Sequence, residues 1–190
     1  IEQRTLKRAS GIRRLAAAAV AVAAVIAVAG VGPRHRYDAG KLYDEYYSVP
    51  AYDYSPSRGC AELPAEQQEL VRRGMDFYRS TDYPAAAEAL GEALEGLEPG
   101  DMPGGTMLYY GVSLIETGKY DDAAAVLSMA AASDDRGYAD EAQWYLAMLH
   151  MKKGDRREAR DMLGRIAGGG RFYAAQATEL MDKLKERRWF

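Results

Sequence analysis

The 190-residue chain holds few of the residue types from which catalytic and metal sites are usually built. It has one cysteine, Cys60, and two histidines, His35 and His150. One thiol cannot close an internal disulfide, and one thiol with two imidazoles at these spacings forms no recognisable metal-ligand set. His150 falls at a packing position of a predicted helix, without a serine or cysteine motif to serve, and we interpret it as a core residue. We therefore expect no enzyme activity, no cofactor and no metal.

Two further patterns that can accompany chemistry have simpler explanations. The glycines at 104–105 and 168–170 could suggest phosphate loops, but no Lys-Ser or Lys-Thr pair follows them and neither run follows a predicted strand. We interpret them as hinges. The acidic pairs at 121–122 and 134–135 lie at helix starts or in loops, where negative charge complements the helix dipole.

The charge is divided unevenly along the chain. Residues 1–36 hold seven Lys/Arg and one acid, a net charge of +6, which leaves 18 bases and 27 acids, a net charge of −9, for residues 37–190. An acidic domain repels a polyphosphate backbone, so nucleic acid is not expected as a partner. With 48% hydrophobic and 28% charged residues, the composition is that of a folded protein.

The basic N-terminal region, residues 1–14, precedes an apolar run. Residues 15–32 are 18 consecutive positions without a charge or a hydrogen-bonding side chain, although nine of them are Ala. This length is about the minimum for a bilayer-spanning helix. We expect a single transmembrane anchor, with a cleaved signal peptide ending near 27–29 and an Ala-rich buried helix as the alternatives.

The charges that flank the run predict its orientation. Five bases precede it, whereas the three that follow are diluted by acids, which places the N-terminus in the cytoplasm. The remainder of the chain would then lie outside the inner (plasma) membrane, in the periplasm if the source is a Gram-negative bacterium. Because the chain begins with Ile1, further sequence is expected upstream.

A repeat organises residues 63–190. Three segments align at offsets of 37 and 36 residues: 72–94, 109–131 and 145–167. A period of this length with helical spacing inside each unit is typical of a helical solenoid. Each unit has a small residue in its first helix and another in its second, followed by a leucine (Gly74, Ala86 and Leu90; Gly111, Ala123 and Leu127; Ala147, Ala159 and Leu163). Small residues at facing positions allow two helices to approach closely.

Turn residues delimit the helices. Thr81-Asp82, Gly118-Lys119 and Gly154-Asp155 lie where the first helix of each pair must stop. Glycine there provides a left-handed cap. We predict helices over residues 64–80, 84–96, 105–117, 121–132, 138–153, 156–167 and 171–187, the last of which would cap the third unit.

These residues resemble the tetratricopeptide repeat family, whose units pair two helices with small residues at fixed positions. Gly74, Ala86 and Ala93 match in the first unit, and the second unit matches equally well. The third departs, with His150 at an aromatic position and Ile166 at a small one. The resemblance covers about residues 64–187. It implies an all-α, right-handed helical-hairpin solenoid of three units plus a C-terminal capping helix, here preceded by one transmembrane helix.

More loosely, the order of basic head, single span, tyrosine-rich stretch and repeats is similar to that of bacterial envelope-anchored tetratricopeptide proteins. The resemblance implies binding of protein partners rather than catalysis. We expect a membrane-anchored adaptor or scaffold with a protein or peptide partner and no small-molecule substrate. The alternatives are a secreted or periplasmic assembly factor released by signal-peptide cleavage, and an accessory domain of an enzyme or regulator whose other part lies upstream.

The first helices of such units line the concave surface. Counting from the small residue of each unit, nine apolar residues should face inward and form a binding groove: Val71, Met75, Tyr78, Leu108, Val112, Ile115, Trp144, Met148 and Met151. A register one residue away would instead place some of them in the core. An exposed apolar surface of this size favours an apolar or aromatic peptide as the ligand.

The chain offers an occupant for this groove. The juxtamembrane segment, residues 33–62, contains six of the 14 tyrosines between residues 37 and 54. We expect residues 43–54 to pack against the first repeat, with Tyr46, Tyr47 and Tyr52 as anchors, and the groove near Trp144 and Met148 to stay open. The alternative is a belt of tyrosines at the membrane surface.

Overall fold

The computed structural model describes residues 39–54, 62–170 and 172–185, and these ranges contain helices and loops but no strand. The eight helices are α1 (Ala39–Tyr46), α2 (Ala65–Arg79), α3 (Tyr83–Leu94), α4 (Gly104–Glu116), α5 (Tyr120–Ala131), α6 (Arg136–Lys153), α7 (Arg156–Gly169) and α8 (Ala174–Lys185). The basic flank 1–14, the predicted transmembrane segment 15–32, His35 and Cys60 lie outside the described ranges. Within those ranges, no helix is both long enough and apolar enough to cross a bilayer.

Helices α2 to α7 form three consecutive pairs. Each helix packs against the next one along the chain, and α8 packs against α7. In addition, α2 contacts α4, and α4 contacts α6. The first helices of the three pairs therefore form a continuous layer, as a solenoid of helical hairpins requires.

The close approach within each pair depends on the small residues that the repeat predicted. A Cβ atom built on Gly74 would lie 2.6 Å from Leu90 Cγ, and one built on Gly111 would lie 2.6 Å from Leu127 Cγ. Both leucines are fully buried. In the third unit Ala147 and Leu163 occupy the equivalent positions and are likewise fully buried.

The turns inside the three pairs share a left-handed residue. Gly118 and Gly154 have φ values of +77° and +83°, and Thr81, at the equivalent position of the first unit, has φ +64°. The next helix begins directly afterwards, and Asp82 accepts a hydrogen bond from the Ala85 N–H as its N-cap. The predicted turn positions are confirmed, including the one without glycine.

Three predictions about local structure were wrong. Helix α1 lies in the juxtamembrane segment, for which no helix was predicted. Gly104 and Gly105 are not a hinge: they are the buried first residues of α4, and a Cβ on Gly105 would lie 2.8 Å from the Tyr138 ring. Gly168 and Gly169 belong to α7, and only Gly170 ends that helix, with φ +62°.

Candidate functional site

The nine residues predicted to line an open groove are all buried. Val71, Met75 and Tyr78 lie in α2, Leu108, Val112 and Ile115 in α4, and Trp144, Met148 and Met151 in α6. The Trp144 ring stacks on the Tyr173 ring with a centroid distance of 4.7 Å and an interplanar angle of 6°. The end of the groove near Trp144 and Met148 is therefore not open, contrary to expectation, because the residue before α8 covers it.

Residues 47–54, which we call the strap, follow α1 and lie along the first-helix layer. They belong to no helix or strand. The Tyr78 hydroxyl of α2 donates to the Pro50 carbonyl at 3.1 Å. The Tyr109 hydroxyl of α4 donates to the Ala51 carbonyl at 3.4 Å and accepts from the Asp53 N–H at 2.9 Å. The strap therefore bonds to the first helices of the first two units through its main chain.

Helix α6 holds the strap in the same way. The Tyr145 hydroxyl donates to the Ser48 carbonyl at 2.9 Å, and the Tyr138 hydroxyl donates to the Asp53 carbonyl at 3.4 Å. The strap thus contacts all three units, whereas the prediction placed it against the first one only. A tyrosine hydroxyl can donate one hydrogen bond and also accept one. It can therefore bind the carbonyl and N–H groups of a main chain of any sequence.

Side chains of the strap add apolar contacts. Pro50 is buried and Val49 is half-buried against the core. The rings of Tyr52 and Tyr54 lie 6.2 and 6.0 Å from the Tyr109 ring, measured between centroids. Of the three predicted anchors, Tyr52 remains 41% exposed, so it contributes less than its ring size suggested.

Helix α1 attaches the start of the strap to the third unit. It packs against α6, and the Lys152 ammonium lies 4.5 Å from the centroid of the Tyr43 ring. Lys183 of α8 forms an ion pair with Glu45 at 2.6 Å and lies 4.7 Å from the centroid of the Tyr46 ring. Two of the predicted anchors therefore do not contact the first repeat as expected. Tyr46 contacts α8, and the Tyr47 hydroxyl donates to Glu116 of α4 at 2.6 Å.

Burial keeps the tyrosine hydroxyls of this face protonated. It raises the pKa of Tyr109 to about 12, although the Asp53 N–H partly offsets this. Burial also raises the pKa of Tyr78 and of Tyr145 well above the ordinary value, reinforced by neighbouring tyrosines. The hydroxyls therefore remain hydrogen-bond donors throughout the physiological pH range.

One half-buried carboxyl lies on the same face. Glu141 is three residues after Tyr138 and four before Tyr145 on α6, so all three share one side of the helix. Burial raises the pKa of Glu141, and the negative charge of Asp53 in the strap raises it further. The charge of Asp53 in the strap therefore acts unfavourably on Glu141, within an otherwise complementary site.

Of the four tyrosines that hold the strap, sequence reasoning placed Tyr78 in the groove and missed the other three. Tyr109 and Tyr145 each follow a predicted groove residue, Leu108 and Trp144, by one position, which is the register error that the sequence left open. A signal existed: a tyrosine begins each of the aligned segments 109–131 and 145–167, and a polar, aromatic side chain suits a site that binds main chain. Tyr138 has no equivalent in the other units and could not have been found by alignment of the repeats.

His150 lies apart from the strap. It is half-buried near the end of α6, and its Nδ1 lies 3.3 Å from the Asp155 carboxylate at the turn into α7. This places it at the turn between the two helices of the third unit, which supports a structural role. In the described ranges, no group of three His, Cys, Asp or Glu side chains is arranged to hold a metal ion.

Comparison with known families finds a match in the third unit. Residues 141–168, which span most of α6 and α7, match the tetratricopeptide repeat family. This is the unit whose sequence departs from the family pattern, at His150 and Ile166. No curated protein and no solved structure matches the chain significantly. The match shows a tetratricopeptide repeat at residues 141–168, and three consecutive helix pairs at offsets of 37 and 36 residues fit a protein built from such repeats.

Proposed function

We propose that the chain is a membrane-anchored adaptor whose first-helix layer binds an extended segment of a partner protein. One observation carries this proposal: four tyrosine hydroxyls, from α2, α4 and α6, bond to the main chain of the strap. Every peptide has this main chain, so a surface that recognises it also suits a segment from another protein. Repeats of this family indicate a protein–protein interaction module and are typically non-catalytic.

The proposed anchor is residues 15–32, and the repeats would lie outside the cytoplasm. This part rests on the uninterrupted apolar run and on the excess of basic residues before it. Confined to a membrane surface, the repeats would meet partners that are themselves bound to the membrane or pass close to it.

The strap then acts as a resident occupant that a partner displaces. Each hydrogen bond contributes a net ~0.5–1.5 kcal/mol, and burial of Pro50 and Val49 adds to this. Ordering the strap opposes these gains at about 1–2 kcal/mol per residue. Because the two sums are similar, a segment with better-matched side chains can replace the strap.

The test removes the strap from the 190-residue chain in detergent micelles. In this unmasked chain, an alternating Gly-Ser sequence replaces residues 47–54. Fluorescence anisotropy then measures binding of a labelled peptide with the natural sequence of residues 47–54. We expect saturable binding to the unmasked chain and much weaker binding to the intact chain, whose own strap competes.

The hydroxyl contacts have a matched control. Tyr109→Phe together with Tyr145→Phe should weaken binding to the unmasked chain by about 1–3 kcal/mol in total. Tyr110→Phe should leave it unchanged, because the Tyr110 hydroxyl lies beside Gly91 rather than the strap. If the unmasked chain keeps its helical circular dichroism but does not bind the peptide, this layer is not a peptide-binding surface.

A further inference from the structure

The contacts of the strap divide unequally between main-chain carbonyl and N–H groups. Among the described residues, four strap carbonyls accept hydrogen bonds from tyrosine hydroxyls, those of Ser48, Pro50, Ala51 and Asp53. The Asp53 N–H donates in turn to a tyrosine hydroxyl, that of Tyr109. The surface therefore recognises carbonyl groups along the strap and requires an N–H at one position.

The strap also shows how the surface accommodates a proline. Pro50 is the buried residue of the strap, and its carbonyl accepts the Tyr78 hydroxyl at 3.1 Å. The Tyr78 ring packs edge-on against the Tyr109 ring at 4.7 Å between centroids. The strap thus buries a proline where its carbonyl accepts from α2 and where the donating tyrosine packs against α4.

We propose that the partner segment preferred by this surface is proline-rich. This rests on the proposed function and defines the class of ligand for the same surface. Proline lacks an N–H, so prolines at positions equivalent to Val49 and Ala51 remove no hydrogen bond that the described residues make. Consecutive prolines favour an extended helix without internal hydrogen bonds, which leaves every carbonyl free to accept from a hydroxyl.

Such a segment also loses less conformational freedom on binding. The φ angle of proline is fixed near −65°, so a proline-rich peptide is partly ordered before it binds. The strap carries a single proline within residues 47–54 and must be ordered at greater cost. A proline-rich partner would therefore displace it without needing more contacts.

Two exposed positions in the strap provide a matched test. The side chains of Ala51 and Asp53 are both exposed, but only the Asp53 N–H donates to Tyr109. Labelled peptides of residues 47–54 carrying Ala51→Pro, Asp53→Pro or Asp53→Ala are titrated against the unmasked chain. We expect Ala51→Pro to bind at least as tightly as the natural peptide. Asp53→Pro should bind about two- to tenfold more weakly than Asp53→Ala, which keeps the N–H.

The outcomes separate this inference from the proposed function. If the natural peptide does not bind, both fail. If it binds and Ala51→Pro weakens binding more than tenfold, the surface is not selective for proline-rich segments, although it still binds peptides. If the intact and unmasked chains form a heterodimer that excludes the labelled peptide, the intended occupant is the strap of a second copy, which also overturns the inference.

A second measurement avoids the unmasked chain, in case that variant does not fold. The same substitutions are made in the intact chain, and thermal unfolding is followed by circular dichroism. Ala51→Pro should leave the midpoint unchanged or raise it, whereas Asp53→Pro should lower it relative to Asp53→Ala. The reverse order for the two proline variants would contradict a surface that recognises carbonyls at position 51 and an N–H at position 53.

Discussion

Replacing Gly111 by alanine should destabilise the array, although alanine is the better helix former. The added Cβ would lie 2.6 Å from Leu127 Cγ and 2.7 Å from Leu127 Cδ2, roughly 1 Å closer than an ordinary carbon–carbon contact. Leu127 is fully buried, and its Cγ is a branch point that cannot move without the rest of the side chain. The two helices of the second unit must therefore separate or Leu127 must leave its rotamer.

The magnitude follows from two opposing terms. Overpacking of a filled core lowers the free energy of unfolding by about 1–3 kcal/mol, whereas the higher helix propensity of alanine raises it by about 0.5–1 kcal/mol. We expect a net loss of about 1–2 kcal/mol, measured by urea unfolding and by a fall in Tm of several degrees.

Gly168→Ala is the matched control. Gly168 is also helical, but a Cβ there would meet nothing within 4 Å. The change should leave stability unchanged or raise it by up to about 1 kcal/mol. If Gly111→Ala changes stability no more than Gly168→Ala does, α4 and α5 do not approach closely at this point. The assignment of small residues to the contacts within the helix pairs would then be wrong.

Two further predictions concern the first turn and the strap. Thr81→Gly should stabilise the array by up to about 1 kcal/mol in urea unfolding, because Thr81 has φ +64° where Gly118 serves in the next unit; a loss of stability would contradict strain at this turn. Glu141 binds its proton more tightly in the folded state, so stability should rise as pH falls from 7 through the raised pKa towards its ordinary value of 4.5, and level off below that value. In Glu141→Gln this part of the pH dependence should disappear and stability at pH 7 should increase; an unchanged pH profile would show that folding does not raise the pKa of Glu141.

The helix pairs were predictable because they rest on local signals. The spacing of Gly74, Gly111 and Ala147 and the turn residues between helices set the period, and the structure places these helices within a few residues of the expected bounds. Thr81 shows how far the pattern extends: its position in the repeat predicted a turn without glycine, and the structure shows that this turn is left-handed as well.

The strap was harder to predict because its partners are far away in sequence. Tyr145 and Ser48 are 97 residues apart, and no periodicity links a segment outside the repeats to the helices that it contacts. Predicting which residues of the first helices face the strap also requires their helical register to be known to within one residue. Leu108 and Tyr109 are both buried, so hydrophobicity could not decide which of them contacts the strap.

Helix α1 was missed for a related reason. Its eight residues include three that face the rest of the array, Leu42, Tyr43 and Tyr46, and they pack against α6 and α8. A helix this short is marginal by itself in water and forms through such contacts. Its sequence therefore gave little sign of the helix.

Residue-resolved hydrogen exchange of the 190-residue chain in micelles tests the binding of the strap most directly. The Asp53 N–H donates to the Tyr109 hydroxyl at 2.9 Å, whereas in the described part of the chain the Ala51 N–H has no acceptor. We expect the Asp53 amide to exchange at least tenfold more slowly than an unstructured peptide of the same sequence, the Ala51 amide to exchange faster than Asp53, and Tyr109→Phe to abolish the protection at Asp53. Exchange of both amides at the rate of the free peptide would show that the strap does not occupy the first-helix layer.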